Sequence, residues 1–506
     1  MNAQGIARLH VESEPRRMAL PWFPLWLAAA ALFPWTAYAQ PRAPITLNVK
    51  DDGYRGMWHQ TGGTMAGEWV YKYYSGGLST YPSQLQPLAV HCAAVKKTFF
   101  CYGGTTKTSY TRLLHVVSYY DHKTGTVPRP TIVLDKQTSD AHDNPVMSVD
   151  DEGYIWIFSN SHGTSRPAYI HRSKRPYDID EFQLVEPTRI DDAGQTVAMD
   201  NYSYMEAWHL PGVGFRCFFH HYGDPVTRTP MFMASSDGVA WSKWTRLGVI
   251  ERGHYQVSAA KAGKYASALN FHPKEVGSDG RTNLYYVETT DDGKTWHTAG
   301  GVDVTLPLSQ INNPALVHDY HGVDHLRVFL IDMLFDGSGH PVIFYTTSKQ
   351  CGGAVSCCNG PSDVPRTWTI ARWTGTAWVI TPFRNVDNNY DFGSLYFEAD
   401  GTWRIIGNAD PKPQPWNTGG EIAIWVSTDS GATWTKVKQL THGSKWNHGY
   451  VRRPINAHPE FYGFWADGDA RAPSDSRLYF TDKDGTHIWR LPSVMTESTA
   501  TPQIAW

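Results

Sequence analysis

The chain has 506 residues and a formal net charge of −3, with no polycationic footprint, so binding nucleic acid by neutralising phosphates is disfavoured. With 41% apolar and 13% aromatic residues it has ample material for a core, and no stretch combines low hydrophobicity with high charge. Its 44 glycines, 21 tryptophans and 27 tyrosines, without long periodic apolar stretches, point to many short strands joined by tight turns.

In chain order, the first predicted element is an export signal over residues 1–39. Arg16 and Arg17 precede the apolar run Met18 to Phe33, and Ala37-Tyr38-Ala39 supplies a small-residue cleavage site. The run is shorter than the ~20 residues of a spanning helix, so cleavage and a periplasmic or secreted location are expected over a membrane anchor. Residues 40–506 are read as one domain, because no linker rich in Pro, Ser or Gly divides them. Export puts six cysteines in an oxidising compartment. Cys92 and Cys101 flank a turn-like Ala94–Lys97 and are expected to face each other across a hairpin, and Cys217 lies alone in an apolar strand as a buried thiol.

One kind of turn recurs along the mature chain. Ser427-Thr-Asp-Ser-Gly-Ala-Thr-Trp434 is a full Asp-box, S-x-D-x-G-x-T-W, and Thr289-Thr-Asp-Asp-Gly-Lys-Thr-Trp296 is a close copy. Degenerate versions stand at 150–156, 235–241, 335–339, 399–403 and 481–485. Asp and Gly make the turn, and the following Trp packs beneath it. A β-sandwich pair gives no reason for such recurrence, whereas blades do. About 467 residues at ~40–50 per blade predict an all-β, seven-bladed propeller with Asp-box turns.

In a propeller the site lies in loops at one end of the central channel. Asp140-Ala-His142-Asp-Asn-Pro145 and Asn160-Ser-His162-Gly-Thr-Ser-Arg166 flank a predicted strand pair, Val146–Val149 and Tyr154–Phe158, which puts both histidines at one end of one blade. A lone histidine would be read as a turn cap; two at equivalent hairpin ends favour function. Asp200-Asn-Tyr202-Ser-Tyr204-Met-Glu206 follows, then His220-His221-Tyr222 with Arg228 behind, then Gly253-His-Tyr255-Gln256 and Arg281-Thr-Asn283. Asn313 and Arg452 are later substrate-binding candidates. Cys351, Cys357 and Cys358 form C-x5-C-C in a Gly-rich loop. With His272 they fit a structural zinc (or calcium) site, and they fit disulfides equally well.

Long motifs then become recognisable: Asp51-Asp-Gly-Tyr-Arg-Gly56, Tyr71-Lys-Tyr-Tyr-Ser-Gly-Gly77, Thr98-Phe-Phe-Cys-Tyr-Gly-Gly104, both histidine segments, Arg281-Thr-Asn-Leu-Tyr-Tyr286, Asn312-Asn-Pro-Ala-Leu-Val317 and Asn456-Ala-His-Pro459. Over essentially the whole mature chain the sequence resembles a group of Asp-box propellers comprising ulvan lyases, rhamnosyl-α-1,4-glucuronate lyases and rhamnosidases, and it looks closest to the rhamnosyl-glucuronate branch. The resemblance implies β-elimination at a glucuronate of arabinogalactan-type glycans. The C5 proton is too weakly acidic to leave unless the carboxylate is neutralised, a base must take that proton, and an acid must protonate the departing O4. The resemblance carries His142 and His162 over as the family's histidine pair, Tyr204 as its tyrosine and Tyr255 as a second site tyrosine. Relatives have an arginine where this chain reads His220-His221, and Arg228 is the substitute. Tyr255, Arg281, Asn313, His221 and Arg452 are assigned to substrate binding.

Rhamnosidase relatives place a histidine shortly after a Gly-Gly-Leu-x-Thr-Tyr motif. Here Gly76-Gly-Leu-Ser-Thr-Tyr81 is followed by Pro82-Ser-Gln-Leu-Gln86, so lyase is favoured over hydrolase. The expected substrate is an acidic polysaccharide or oligosaccharide, with no cofactor required for catalysis, no nucleic-acid or membrane partner, and a monomeric chain. Ulvan lyase, rhamnosidase and a non-catalytic glycan-binding propeller are the alternatives.

Overall fold

Strand follows strand through a computed structural model that describes residues 46–61, 64–66, 69–71, 74–77, 82–109, 111–164, 166–223, 225–261, 263–275, 280–349 and 364–506. These belong to one unit, Pro44–Trp506; a second unit, Met1–Ala43, lies outside them together with the expected leader and Cys351, Cys357 and Cys358. Among the described residues the helical content is a short turn at Ala141–Asp143 and another at Tyr320–Asp324.

Among the described residues, seven sheets have four or more strands. Most are antiparallel meanders in chain order: Pro145–Val149, Ile155–Ser159, Tyr169–Ser173 and Phe182–Val185 form the second, and Ser203–Leu210, Gly214–Tyr222, Arg228–Ser235 and Thr245–Arg246 the third. The fourth begins at Gln256–Lys261, the fifth at Leu326–Phe335, the sixth at Gly393–Phe397 and the seventh at Asn447–Arg452. The first sheet is built around Ala89–Cys92, Lys97–Gly104 and Leu114–Asp121 and also takes Ser474–Ser476 from near the C-terminus.

The sheets are apolar on both faces, and the reason lies in how they pack. Along Gly214–Tyr222, Phe215, Cys217 and Phe219 join Trp156 and Phe158 of the second sheet, while Phe218 joins Leu269, Tyr285 and Val287 of the fourth. Alternation on a strand thus feeds two cores. The same holds throughout. Separate cores join the fourth sheet to the fifth, the fifth to the sixth, the sixth to the seventh, the seventh to the first, and the first to the second.

The recurrent Asp–Gly turns divide into two kinds. At Ser427–Trp434 the Asp429 carboxylate accepts from the Thr433 N–H and hydroxyl (2.9 and 2.6 Å), the Gly431 N–H donates to the Ser427 hydroxyl (2.8 Å), and the Trp434 indole donates to the Gly431 carbonyl (3.2 Å). The turns at 235–241 and 289–296 repeat the Trp-to-Gly carbonyl bond. All three follow the third strand of their sheets. Gly431 has φ +82°, and a Cβ there would stand 2.7 Å from the Trp403 ring. The turns at 150–156, 335–339 and 399–403 instead join first strands to second, and there an Asp accepts backbone N–H bonds within the turn. The single repeat read from sequence is two turn types.

The cysteine hairpin also differs from expectation. The register pairs Cys92 with Lys97 and Ala89 with Phe100, and the Cys101 N–H donates to the Leu88 carbonyl. Cys92 and Cys101 are therefore not opposite each other, and both are free thiols. Cys217 is a fully buried free thiol, as expected.

Glu206, on a first strand, links the third sheet to the fourth. Its carboxylate accepts from the Ser258 N–H and hydroxyl, both at 2.7 Å. Burial pushes this carboxyl from 4.5 up to about 8. Between those pH values the unfolded chain has lost the proton that the folded chain keeps, so stability falls as pH rises, by at most about 1.4 kcal/mol per pH unit. Glu206→Gln should raise Tm more in mildly alkaline than in mildly acidic buffer. Thermal melts showing the same shift in both would contradict this.

Candidate active site

The residues just before each first strand and just after each second strand share one end of their sheet, and the site is built there. Asp140 caps the short turn Ala141–Asp143, accepting from the His142 N–H, and Pro145 starts the strand that follows. Pro145 pairs with Ser159, so His162 emerges beside His142. Their rings stack at 3.9 Å with planes 16° apart.

One carboxylate holds both rings. His142 Nδ1 donates to Asp140 Oδ1 at 2.5 Å and His162 Nδ1 to Oδ2 at 2.7 Å. Burial alone would raise the Asp140 pKa, but the two histidines outweigh it and hold the carboxyl far below the usual range. Arg166 locks the loop by gripping Asp143 with two bonds of 2.8 Å and reaching Asp140 Oδ2 at 2.7 Å. With Nδ1 on Asp140, His162 turns its Nε2 toward the Tyr204 hydroxyl.

Tyr204 is the meeting point. Its hydroxyl lies 3.4 Å from His162 Nε2, 3.4 Å from the Tyr255 hydroxyl and 3.3 Å from the Tyr222 hydroxyl. The strand carrying it is irregular: the register slips between Ser203 and Glu206, and Tyr204 has φ +53°. A bulge that turns a tyrosine into a left-handed conformation re-aims its side chain, at a local cost of about 1–3 kcal/mol.

The opposite wall is cationic. Arg228 Nε donates to the Tyr222 hydroxyl at 3.0 Å, and its Nη1 lies 3.2 Å from His272 Nδ1. Arg228 and Arg281 sit over the Tyr255 ring, 4.5 and 4.4 Å from its centroid. Burial opposes ionisation of Tyr255, yet these two guanidinium groups prevail and hold its hydroxyl below the usual phenol range. Tyr222 is pushed up to about 12, chiefly by burial. Among the described residues Arg228 bonds a phenol and an imidazole and makes no ion pair with a carboxylate. Arg281 Nη2 also donates to the Tyr390 hydroxyl at 3.0 Å.

His142, His162, Tyr204, Arg228, Tyr255 and Arg281 are thus brought together. Three other candidates are placed elsewhere. His221 alternates to the far face of its strand and packs on Trp244 at 5.2 Å, while the buried His220 stands 5.2 Å from Tyr204. Asn313 spends its amide in a local turn, donating to the Gln310 carbonyl and accepting from the Ala315 N–H. Arg452 is buried and donates to the Ser83 and Pro82 carbonyls. His272, expected with the cysteine loop, is a partner of Arg228 and packs on Tyr255 at 5.0 Å; those cysteines lie outside the described residues. Asp140, Arg166 and Tyr222 carry site contacts that sequence reasoning did not assign. For Asp140 the signal was present, two residues before a candidate histidine. Asp140, His142 and His162 also place donor atoms within 4.8 Å of one another, close enough to hold a cation.

A family model described as "BNR repeat-containing family member" matches residues 111–386, more than half of the chain. The chain belongs to the BNR repeat-containing family. It is related to the ulvan lyases. An ulvan lyase of Alteromonas sp. (strain LOR) is 21% identical over 454 residues, covering 79% of this chain and 85% of the relative. An ulvan lyase of Pseudoalteromonas sp. (strain PLSV) is 32% identical over 345 residues, 58% of this chain and 64% of the relative. A solved PL25 ulvan lyase superimposes with a TM-score of 0.64 at 16% identity, covering 86% of this chain and 96% of that one. The same enzyme has been solved bound to -[GlcA(1-4)Rha3S]- with identical figures. At this identity the superposition shows that this BNR protein shares the propeller-like, nearly all-β fold.

Proposed function

We propose that this protein is a polysaccharide lyase that breaks the bond to O4 of a glucuronate by β-elimination. The observation that carries the reading is the line Asp140–His162–Tyr204 ending beside Arg228, a guanidinium with no carboxylate partner among the described residues. A uronate carboxylate supplies that partner. Arg228, aided by the histidine pair, neutralises it and acidifies C5. Tyr204 is the group placed to exchange a proton with substrate, and Asp140 fixes the tautomer of the histidines beside it. Tyr204 or a histidine of the pair takes the C5 proton as base, the electrons of the C5–H bond form the C4–C5 double bond, and the C4–O4 bond breaks as O4 receives a proton from the other group acting as acid.

We further infer that the seven sheets joined by seven cores are the blades of one propeller, and that residues 1–39 export it to where such glycans occur. For the substrate, the sequence motifs favour the rhamnose-α-1,4-glucuronate ends of arabinogalactan-type glycans. The similarity to two ulvan lyases supports a second reading, sulfated rhamnose–glucuronate. Parallel assays on gum arabic and ulvan, following the ultraviolet absorbance of the unsaturated uronate, decide between them. Product from gum arabic is expected; product from ulvan alone would move the assignment to the second reading.

A further inference from the structure

Three histidines converge where the first and last sheets meet, at residues the elimination does not use. His91 lies on Ala89–Cys92, His122 directly follows Leu114–Asp121, and His458 sits in the loop between Asn447–Arg452 and Gly463–Gly468. The rings of His122 and His458 are 3.8 Å apart, and His91 stands 5.1 and 4.8 Å from them. Glu460 reaches over the cluster, its Oε2 2.9 Å from His122 Nδ1 and 3.9 Å from His458 Nδ1.

We propose that His122 Nδ1, His458 Nδ1 and Glu460 Oε2 form a zinc site that ties the first sheet to the last. Two nitrogens and a carboxylate oxygen are a donor set for zinc, with a fourth position left for water. Ligand atoms around a tetrahedral zinc with bonds of ~2.0–2.1 Å stand about 3.3 Å apart, and the two distances to Glu460 bracket that spacing.

The surroundings are arranged as for a ligand. His122 Nε2, pointing away from the site, meets the Thr98 hydroxyl at 2.8 Å, and that hydroxyl lies 3.3 Å from His91 Nδ1. Coordination would replace the bond that His122 Nδ1–H gives Glu460 here; Nε2–H would then donate to Thr98 and Thr98 to His91, the outer hydrogen bond that fixes a metal-bound imidazole. The His122 side chain is only 4% exposed, whereas Glu460 is 52% exposed, so one ligand is fixed and one can swing to admit the ion. His458 Nδ1 accepts from the Glu460 N–H at 3.2 Å, a bond that coordination would replace. The same segments are already joined by the His91 N–H donating to the Ile455 carbonyl at 2.9 Å and the Ile455 N–H to the Ala89 carbonyl. A metal here would reinforce the contact between distant parts of the chain.

The test is zinc titration of the full mature chain after chelator treatment, followed by calorimetry and by zinc counted per chain. His122→Ala and His458→Ala should each lose one equivalent, and the exposed-residue variant Glu460→Gln should bind that equivalent at least tenfold more weakly. His142→Ala should keep it, which separates this site from the cation-capable cluster at Asp140. Zinc at a hundredfold above the wild-type Kd should raise Tm by about 3 °C in wild type and by about half of that or less in Glu460→Gln. Wild-type stoichiometry and affinity in Glu460→Gln and either histidine variant, or no zinc bound by wild type, would overturn the proposal.

Discussion

Tyr204→Phe is expected to lower kcat by about 10³-fold while leaving KM and Tm near the wild-type values. The substitution removes one atom. The ring that contacts His142, His162, Tyr222 and Tyr255 stays, as does the bulge that aims it. What disappears is the hydroxyl within 3.4 Å of His162 Nε2. A group that moves a proton in the transition state should affect turnover, whereas a group that only fills space should affect melting. Steady-state kinetics beside thermal melts separate the two, and a rate within tenfold of wild type would remove Tyr204 from the chemistry.

The second large effect is expected at the carboxylate behind the histidines. Asp140→Asn should cost about 10²–10⁴-fold in kcat, because an amide presents one acceptor to two N–H donors and cannot hold both rings in the Nδ1–H form. His142→Ala and His162→Ala should each lose about 10²-fold or more. If the three act as a unit, Asp140→Asn combined with His162→Ala should be little worse than the poorer single variant. Multiplying losses would show that Asp140 and His162 act independently. Arg166 still binds Asp143 in these variants, so the loop should stay folded.

Much of this site was legible before any coordinates. His142 and His162 could be paired because hairpin ends are local, set by a short strand pair whose apolar pattern is plain. Tyr204 and Tyr255 took their roles from resemblance and Arg228 stood in for an arginine that relatives carry, since the third and fourth sheets bring the three together and no local pattern encodes that. His221 shows where a physical rule was available and unused. Side chains alternate along a strand, so His220 and Tyr222 share the face toward Tyr204 while His221 takes the other. Arg452 has the charge of a substrate ligand, but it donates to backbone carbonyls at 82 and 83, far away in sequence. The expected Cys92–Cys101 pairing failed on register: Cys92 pairs with Lys97 and Cys101 falls opposite Leu88, so the turn is centred two residues earlier than that pairing needs. The Asp–Gly turns looked like one repeat because both turn types need a carboxylate that accepts backbone N–H groups and a glycine beyond it. Only the pairing of strands tells a turn after the third strand from one after the first.

The central claim is elimination at a uronate, and the mass of the released end tests it most directly. Digestion of a glycan carrying the rhamnose–glucuronate linkage should release an intact rhamnose end and leave a 4,5-unsaturated uronate that absorbs in the ultraviolet, because elimination takes no water into the product. A substrate whose glucuronate carboxyl has been reduced to the alcohol should be left uncut, since both C5 acidity and the partner for Arg228 are gone. Mass spectrometry showing a uronate end lighter by one water than the hydrolysis product is the predicted result. A saturated uronate end, heavier by that water and without ultraviolet absorbance, would contradict the account.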